Sequence, residues 1–359
     1  MRIPIARPFF GDEEKREVLA VLDSGQLVQG VWVERLERAF AELHGARYAV
    51  ATSNGTTALT AALMAHGIEP GDEVIVPSFS FFATASSVLA AQARPVFADV
   101  DASTFTLSVA AARAAMTSRT RAILPVHLFG HPADRPALAD LCAAHGLLLL
   151  EDAAQAHLAA IDGRPVGSSG TAAFSLYASK NATSGEGGMV LTDDAAVYER
   201  LRRIRNHGRS IADDHQLLGF NFRMTNLCAA VGLPQLARLP AWTQRRIEHA
   251  AFFTRELRNV ETPTVRQGYR HVFHQYTVRA PLGRNRDDLV AELRRAGIDA
   301  RVYYPRPIHR QPIIQRLGLG DVDLPVTEAL CRTVFSLPVH PHLTPDELDF
   351  VASSVERLA

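Results

Sequence analysis

The chain has 359 residues, 47% hydrophobic and 21% charged; this composition excludes a disordered protein, and the length suits two domains better than one small core. Lysine plus arginine and aspartate plus glutamate balance at 38 each, which excludes the overall basic excess of a nucleic-acid binder. No apolar run approaches the ~20 residues that span a bilayer, and Arg2, Pro4 and Pro8 stand where a signal peptide carries its apolar core, so a cytoplasmic protein without membrane contact is expected.

In chain order the first clear element is an amphipathic helix, in which Val33, Leu36, Phe40 and Leu43 recur at helical spacing up to a stop at Gly45. Short apolar runs then alternate with longer ones. Residues 48–51, 73–76, 95–98, 122–126 and 147–150 are β-branched or leucine-rich and too short for helices, so they predict strands. Residues 57–66, 82–92 and 136–145 are long enough and rich enough in alanine and leucine to predict helices. Such alternation predicts a mainly parallel sheet covered on both faces, with its active site at the carboxyl ends of the strands. Composition shifts near Leu239-Pro240. Beyond it come an arginine-rich helix (Arg245, Arg246, Arg255), an alternating strand over 273–279 and a helix over 287–296 stopped by Gly297. The last helix starts with Thr344 as N-cap, Pro345 in its first turn and Glu347 completing a capping box, with Leu343 and Leu348 as a hydrophobic staple. The expectation is an α/β chain with a large domain over 1–240, including an N-terminal helical arm, and a smaller α+β domain over 241–359. Cys142, Cys228 and Cys331 are widely separated, show no metal-ligand spacing, and suit small buried hydrophobes in a reducing compartment.

Three stretches carry chemistry. Ala51-Thr-Ser-Asn-Gly-Thr-Thr-Ala-Leu59 follows a predicted strand and opens a helix, so the N–H groups and hydroxyls of Gly55, Thr56 and Thr57 would face an anion there. The same residues also suit a plain capped helix start. Asp152 stands at the end of the strand over 147–150, as a cofactor carboxylate or as a solvated or helix-capping acid. Lys180 follows 28 residues later, among Ser175, Tyr177 and Asn181, with Gly185–Gly188 marking backbone that passes close to something. An amine at one strand end and a carboxylate at another are what a pyridoxal phosphate enzyme needs: the amine condenses with the cofactor aldehyde, and the carboxylate keeps the pyridine nitrogen protonated. Neither a dinucleotide-binding Gly-x-Gly-x-x-Gly nor a Gly-Lys-Ser/Thr phosphate loop is present.

The order of these pieces is cradle, aromatic segment over 77–84, Asp152, Lys180. It resembles the fold-type I pyridoxal phosphate enzymes, and more narrowly the DegT/DnrJ/EryC1/StrS family of sugar aminotransferases. The resemblance runs from Gly25-Gln-Leu-Val-Gln-Gly30 to Ser336-Leu-Pro-Val-His-Pro341 and rests on Glu151-Asp-Ala-Ala-Gln-Ala-His157, Gly185-Glu-Gly-Gly-Met189 and Gly219-Phe-Asn-Phe-Arg-Met-Thr225. It implies that Lys180 binds the cofactor and shuttles the proton, that Asp152 pairs with the ring nitrogen, and that Phe81 stacks on the ring. It further implies that Thr56, Thr57 and Ser175 hold the phosphate, that Gln155 sits against the ring, and that Asn221 reaches the phosphate from the neighbouring subunit of a homodimer.

In the second domain, the segments over 271–276 and 301–311 resemble those lining the family's sugar-nucleotide side, which implicates Arg301, Tyr303, Tyr304 and His309. Arg301, Arg306 and Arg310 suit a diphosphate and tyrosines suit sugar hydroxyls, while His309 and His274 equally suit packing. The implied reaction moves an amino group from an amino acid, L-glutamate first, onto a keto sugar attached to a nucleotide diphosphate, and the Tyr303-Tyr304-Pro305 segment leans toward a 3-keto sugar. A dehydratase of the family would carry histidine in place of Lys180, and a cofactor-binding regulator without turnover is the other alternative. Leu158 departs from the family, many of whose members carry glycine there.

Overall fold

The computed structural model describes residues 2–210 and 214–359. Two helices, α1 (Asp12–Ser24) and α2 (Val31–His44), lead into β1 (Tyr48–Thr52). Helices and strands then alternate as α3 (Gly55–Ala65), β2 (Glu73–Pro77), α4 (Ala83–Ala90), β3 (Arg94–Ala98), α5 (Val109–Ala114), β4 (Thr120–Ile123), α6 (Arg135–His145) and β5 (Leu148–Asp152). The short β6 (Ala160–Ile161) and β7 (Arg164–Pro165) precede β8 (Thr171–Ser175), β9 (Gly188–Thr192), α7 (Ala195–Ile204) and the long α8 (Asn226–Glu256). The remainder comprises β10 (Tyr269–Arg270), β11 (Tyr276–Arg279), α9 (Arg286–Arg295), α10 (Pro312–Arg316), α11 (Pro325–Thr333), β12 (Val334–Leu337) and α12 (Pro345–Leu358).

Seven strands form the central sheet in the order β1-β9-β8-β5-β4-β2-β3. All run parallel except β9, which is antiparallel to both neighbours. Strands β2, β8 and β9 are buried along their whole length, as expected of a sheet with helices on both faces. Helix α3 reads as apolar all round because it is enclosed: Ala58, Leu59, Ala61, Ala62 and Leu63 are all buried, and it packs on β8 and β9 as well as on α4 and α7.

The expected domain boundary at 240 falls inside α8, which carries Pro234 and Pro240 without ending. An internal proline removes one helical hydrogen bond, and apolar burial on two fronts outweighs that loss. Leu236 and Leu239 enter the core with α2 and Phe174, whereas Ala250 and Phe253 enter a second core with Tyr276, Leu289, Phe335 and Val351. Each of the leucine, phenylalanine and valine side chains among these contributes roughly 1.5–3 kcal/mol when fully buried. In that second core β11 pairs with β12, and the strand expected over 273–279 begins only at Tyr276, since Phe273 has a left-handed φ of 45°. The capping box of α12 forms as expected, with Glu347 N donating to Thr344 Oγ1 at 3.2 Å and Thr344 N to Glu347 Oε2 at 2.9 Å.

The lone antiparallel strand imposes one close approach. Gly188 pairs with Thr52 of β1 on one side and Ser175 of β8 on the other, and a Cβ there would lie 2.2 Å from the Asn54 carbonyl oxygen and 2.5 Å from Thr52 Oγ1. The Gly188→Ala variant should therefore lose about 3 kcal/mol of stability, read as a fall in denaturant midpoint. An unshifted midpoint would show that the β1–β9 contact yields more easily than its geometry implies.

Candidate active site

The carboxyl ends of β1, β2, β5 and β8 all deliver polar residues to one edge of the sheet. After β1, Asn54 caps α3 by accepting from Thr57 N at 3.0 Å, while Thr57 Oγ1 accepts from Asn54 N at 3.1 Å. The capping box leaves the amides of Gly55 and Thr56 without an intrahelical partner, as at any helix start, and therefore open to an anion. Gly55 has a steric duty as well: a Cβ would meet Ser175 Cβ at 2.8 Å. Thr57 is less free than expected, because its hydroxyl also donates to the Asn54 carbonyl at 2.8 Å. Ser175 Oγ accepts from Tyr177 N at 3.3 Å and is otherwise available.

Asp152 closes β5 with only 4% of its surface exposed. Its Oδ2 accepts from Thr84 Oγ1 at 2.9 Å and its Oδ1 from Ala154 N at 3.1 Å. Thr84 in turn is 2.9 Å from Ser80 Oγ, so the aromatic segment after β2 and the end of β5 are locked together. Burial pushes the Asp152 carboxyl up, and these two hydrogen bonds and the Lys180 charge pull it back. Among the described residues no cation lies within ion-pair distance of Asp152. The adjacent Glu151 faces the other way, onto His127 Nε2 at 3.0 Å and Arg135 Nε at 3.1 Å. Ala133 N donates to His127 Nδ1 at 2.9 Å, which leaves the ring proton on Nε2 for Glu151 and so splits the Glu151-Asp152 pair between support and site.

Lys180 sits in a closed loop between β8 and β9. Leu176 N donates to the Gly187 carbonyl at 2.8 Å, Ser184 N to the Leu176 carbonyl at 2.9 Å, and Lys180 N to the Tyr177 carbonyl at 2.9 Å. Burial pulls its ammonium down to about 8, with Asp152 opposing that shift. Below the loop lies a cavity of about 20 Å³, lined among others by Lys180, Asn181, Trp242 and Arg246.

Of the other expected site residues, Phe81 is 59% exposed above the strand ends, its ring 6.2 Å from that of Tyr304. Gln155 donates from Nε2 to Tyr304 Oη at 3.0 Å and accepts from Phe129 N at 2.7 Å, so it fixes the tyrosine that borders the site. Tyr303 packs edge-on against Tyr304. His309 is fully buried with Nδ1 2.7 Å from Ser78 Oγ and Nε2 3.2 Å from Glu328. Both ring nitrogens are occupied, which makes it a tie between two segments. Arg301 pairs with Asp299 at 2.7 Å and Arg310 with Glu328 at 2.8 Å, while Arg306 is exposed and in no ion pair among the described residues. Asn221 is exposed on a strip bridged to Asn206, and its neighbour Phe222 accepts from Ser53 N at 2.7 Å beside the cradle. Leu158 has a φ of 62°, the conformation glycine adopts most easily, and its side chain is buried against the core of α2 and Phe174.

This geometry meets each demand of a pyridine ring carrying an aldehyde and a phosphate. A buried carboxylate without a counter-ion awaits a protonated nitrogen, a desolvated amine awaits the aldehyde, and unpaired helix-start amides await the phosphate. The model of the DegT/DnrJ/EryC1/StrS aminotransferase family matches residues 8–356. The chain belongs to that family. It is 42% identical to a pleiotropic regulatory protein of Geobacillus stearothermophilus, over 97% of this chain and 95% of that one. It is 39% identical to UDP-N-acetyl-3-dehydro-alpha-D-glucosamine 3-aminotransferase of Acidithiobacillus ferrooxidans, over 96% and 94%. The crystal structure of DesV from Streptomyces venezuelae superposes with a TM-score of 0.92 at 39% identity, covering 96% of this chain and 94% of that one. The protein is thus a fold-type I, pyridoxal phosphate-dependent aminotransferase.

Thr84 and Asn181 had no individual role in the sequence reading. A hydroxyl at the fourth position after another (Ser80, Thr84) is a weak signal, and only the fold shows that it meets Asp152. Removing that donor in Thr84→Val should weaken cofactor affinity about tenfold, the weight of one hydrogen bond to a charged group, as measured by fluorescence titration of the cofactor-free protein; unchanged affinity would remove Thr84 from the site.

The lowered Lys180 ammonium has a kinetic consequence. Only the free amine attacks an aldehyde, so attachment of pyridoxal phosphate should accelerate up to about pH 8 and then level off, whereas a model amine keeps accelerating toward ~10.4. The readout is clean because the chain contains only two lysines, Lys15 and Lys180. Borohydride reduction followed by peptide mass analysis assigns the adduct, and a rate still climbing at pH 10 would contradict the desolvated environment.

Proposed function

We propose that this aminotransferase moves the amino group of L-glutamate onto a keto sugar carried by a nucleotide diphosphate, as a step in amino-sugar biosynthesis. The observation that supports this most is the intact set of Lys180, Asp152 and the Gly55–Thr56 cradle, in a chain 39% identical over almost its full length to a nucleotide-sugar 3-aminotransferase. The bound cofactor supplies an electron-withdrawing ring, which acidifies the carbon bearing the transferred nitrogen.

The chain's own residues do the rest. Lys180, displaced by the incoming amine, takes the proton from the donor Cα and returns it to the cofactor carbon next to the ring. An amine with a pKa near 8 suits a base working near neutral pH. Asp152, held by Thr84 and Ala154, keeps a proton on the ring nitrogen. Thr56, Ser175 and the Gly55 amide hold the phosphate. Phe81 covers the ring, and Gln155 orients Tyr304 at its border. The acceptor enters on the side of Tyr303, Tyr304 and Arg301, where the unpaired Arg306 offers a charge for the diphosphate. His309 acts there from behind, by fixing the segment over 308–310 to Ser78.

The same proposal makes the active unit a homodimer. Phe9, Phe10, Leu27, Val28, Leu218 and Phe220 expose large apolar side chains on the segment before α1, the connection between α1 and α2 and the strip before Asn221, which suits burial against a second copy. Three unpaired cysteines suit a cytoplasmic, reducing setting. The regulator reading, which the Geobacillus relative's name brings up, is disfavoured by the complete catalytic set, and the dehydratase reading by the lysine at 180.

Glutamate-dependent amination across a panel of keto sugars on UDP, dTDP and GDP, with 3-keto sugars first, tests the substrate. Lys180→Ala should abolish the visible absorbance of lysine-bound cofactor and lower turnover at least 100-fold, within the range for loss of a general base. Wild-type turnover in that variant, or an inert panel, would end the proposal.

A further inference from the structure

The cavity beneath Lys180 contains two polar donors that the protein leaves without acceptors. Arg246, on α8, is 6% exposed. Its Nη1 reaches the Phe273 carbonyl at a long 3.4 Å, and its Nε has no partner. No carboxylate among the described residues forms an ion pair with it, although Arg7 nearby pairs with Glu347 at 2.7 Å. Asn181, next to Lys180 in the chain, is 4% exposed, accepts at Oδ1 from His274 Nδ1 at 3.2 Å and leaves its Nδ2 unpartnered. Arg246, Asn181 and Lys180 all line the same space.

A guanidinium buried without a counter-ion is costly unless a ligand brings one. Burial pulls the Arg246 guanidinium down only to about 10, so it stays charged at neutral pH. The missing partner is therefore an acceptor of negative charge, planar enough for the guanidinium fork and small enough for the space. A planar carboxylate meets the first demand, and the space of about 20 Å³ beside Lys180 and Asn181 is on the scale of one or two water molecules, which a carboxylate would displace.

We infer that Arg246 and Asn181 receive the α-carboxylate of the amino donor while its amine meets Lys180. Arg246 would hold the carboxylate through its fork and Asn181 through its Nδ2. The wall opposite is fixed. Gln235 Nε2 donates to the Phe9 carbonyl at 2.9 Å, Phe9 packs against Trp242 and His342, and Arg7 Nη1 donates to the His342 carbonyl at 3.1 Å. Residues 6–9 of the N-terminal segment thus form one wall of the cavity. This assignment rests on the aminotransferase reading but not on glutamate or on any sugar, since every amino-acid donor carries an α-carboxylate.

The test uses full-length, cofactor-loaded enzyme and two readouts. In calorimetry, glutarate, a dicarboxylate with no amine to react, should bind the wild type and bind Arg246→Gln about 10- to 100-fold more weakly, the effect of losing one charge-assisted pair. In rapid mixing with L-glutamate, L-glutamine or L-alanine, the donor concentration giving half-maximal loss of the lysine-bound cofactor band should rise by a similar factor. Asn181→Ala should shift both readouts in the same direction by less. Unchanged glutarate affinity together with an unchanged donor requirement in Arg246→Gln would overturn the inference. Should that variant fail to fold, Arg246→Lys decides: it keeps the charge but loses the fork, so a several-fold weakening in both readouts supports the assignment and wild-type values refute it. A silent keto-sugar panel alongside a donor half-reaction that responds to Arg246 would sink the proposed acceptor and leave this site standing.

Discussion

A carboxylate as deeply enclosed as that of Asp152 stays ionised only if something nearby compensates its lost hydration. The protein supplies part of that compensation through Thr84 and the Ala154 amide, and a more distant part through Lys180, whose own charge is weakened by the same burial. Neither partner is a contact ion pair. The balance is left short by about one positive charge at the base of the site, where the proposed function puts the protonated ring nitrogen. The lowered lysine, the locked threonine and the split duties of Glu151 and Asp152 make a site that is acid at one end and basic at the other.

The second constraint is topological. The cradle follows β1 and Lys180 follows β8, yet the two strands are separated by β9. Inserting a strand between parallel neighbours spreads their ends by two strand spacings, nearly 10 Å. Glycines draw the loops back together: Gly188 admits the Asn54 carbonyl, Gly187 admits Ser184 and Met224, and Gly55 admits Ser175. The cradle and the lysine loop are therefore one packed unit, and the geometry of the phosphate site is set by contacts that no hydroxyl makes.

Much of this was legible in the sequence, for a physical reason. Strands buried on both faces must be continuous apolar runs, and helices between them must be long, so the alternation from β1 to β5 shows through. Asp152 was readable because it ends an apolar strand with a charge, and Lys180 because it stands among polar and glycine-rich residues at a fixed place after it. What did not show depends on neighbours distant in the chain. Thr57 looks like a phosphate ligand until the capping box claims its hydroxyl. His309 looks like a substrate contact until Ser78 and Glu328 occupy its ring. Pro240 looks like a helix end until burial on both sides carries α8 through it. Arg246 sits in an arginine-rich helix like any solvated cation, and nothing in the sequence marks it as the one turned inward without an acid.

The histidines complete the electrostatic argument. His157, His274 and His340 lie buried near Lys180 or Arg246, and burial holds each below its ordinary range, with the neighbouring cations pushing the same way. At neutral pH these rings are uncharged, so they add no competing positive charge near Lys180 and Arg246. Among the described residues that line this cavity, the cations in no ion pair are Lys180 and Arg246. An amino acid presents one amine and one α-carboxylate at a fixed separation; the cofactor held at Lys180 would supply the electrophile for the amine, and Arg246 the charge for the carboxylate, in one cavity. A simple amine would satisfy the first and leave the second buried and unpaired. Discrimination in favour of amino acids then arises less from attraction to the carboxylate than from the penalty of leaving a buried guanidinium uncompensated.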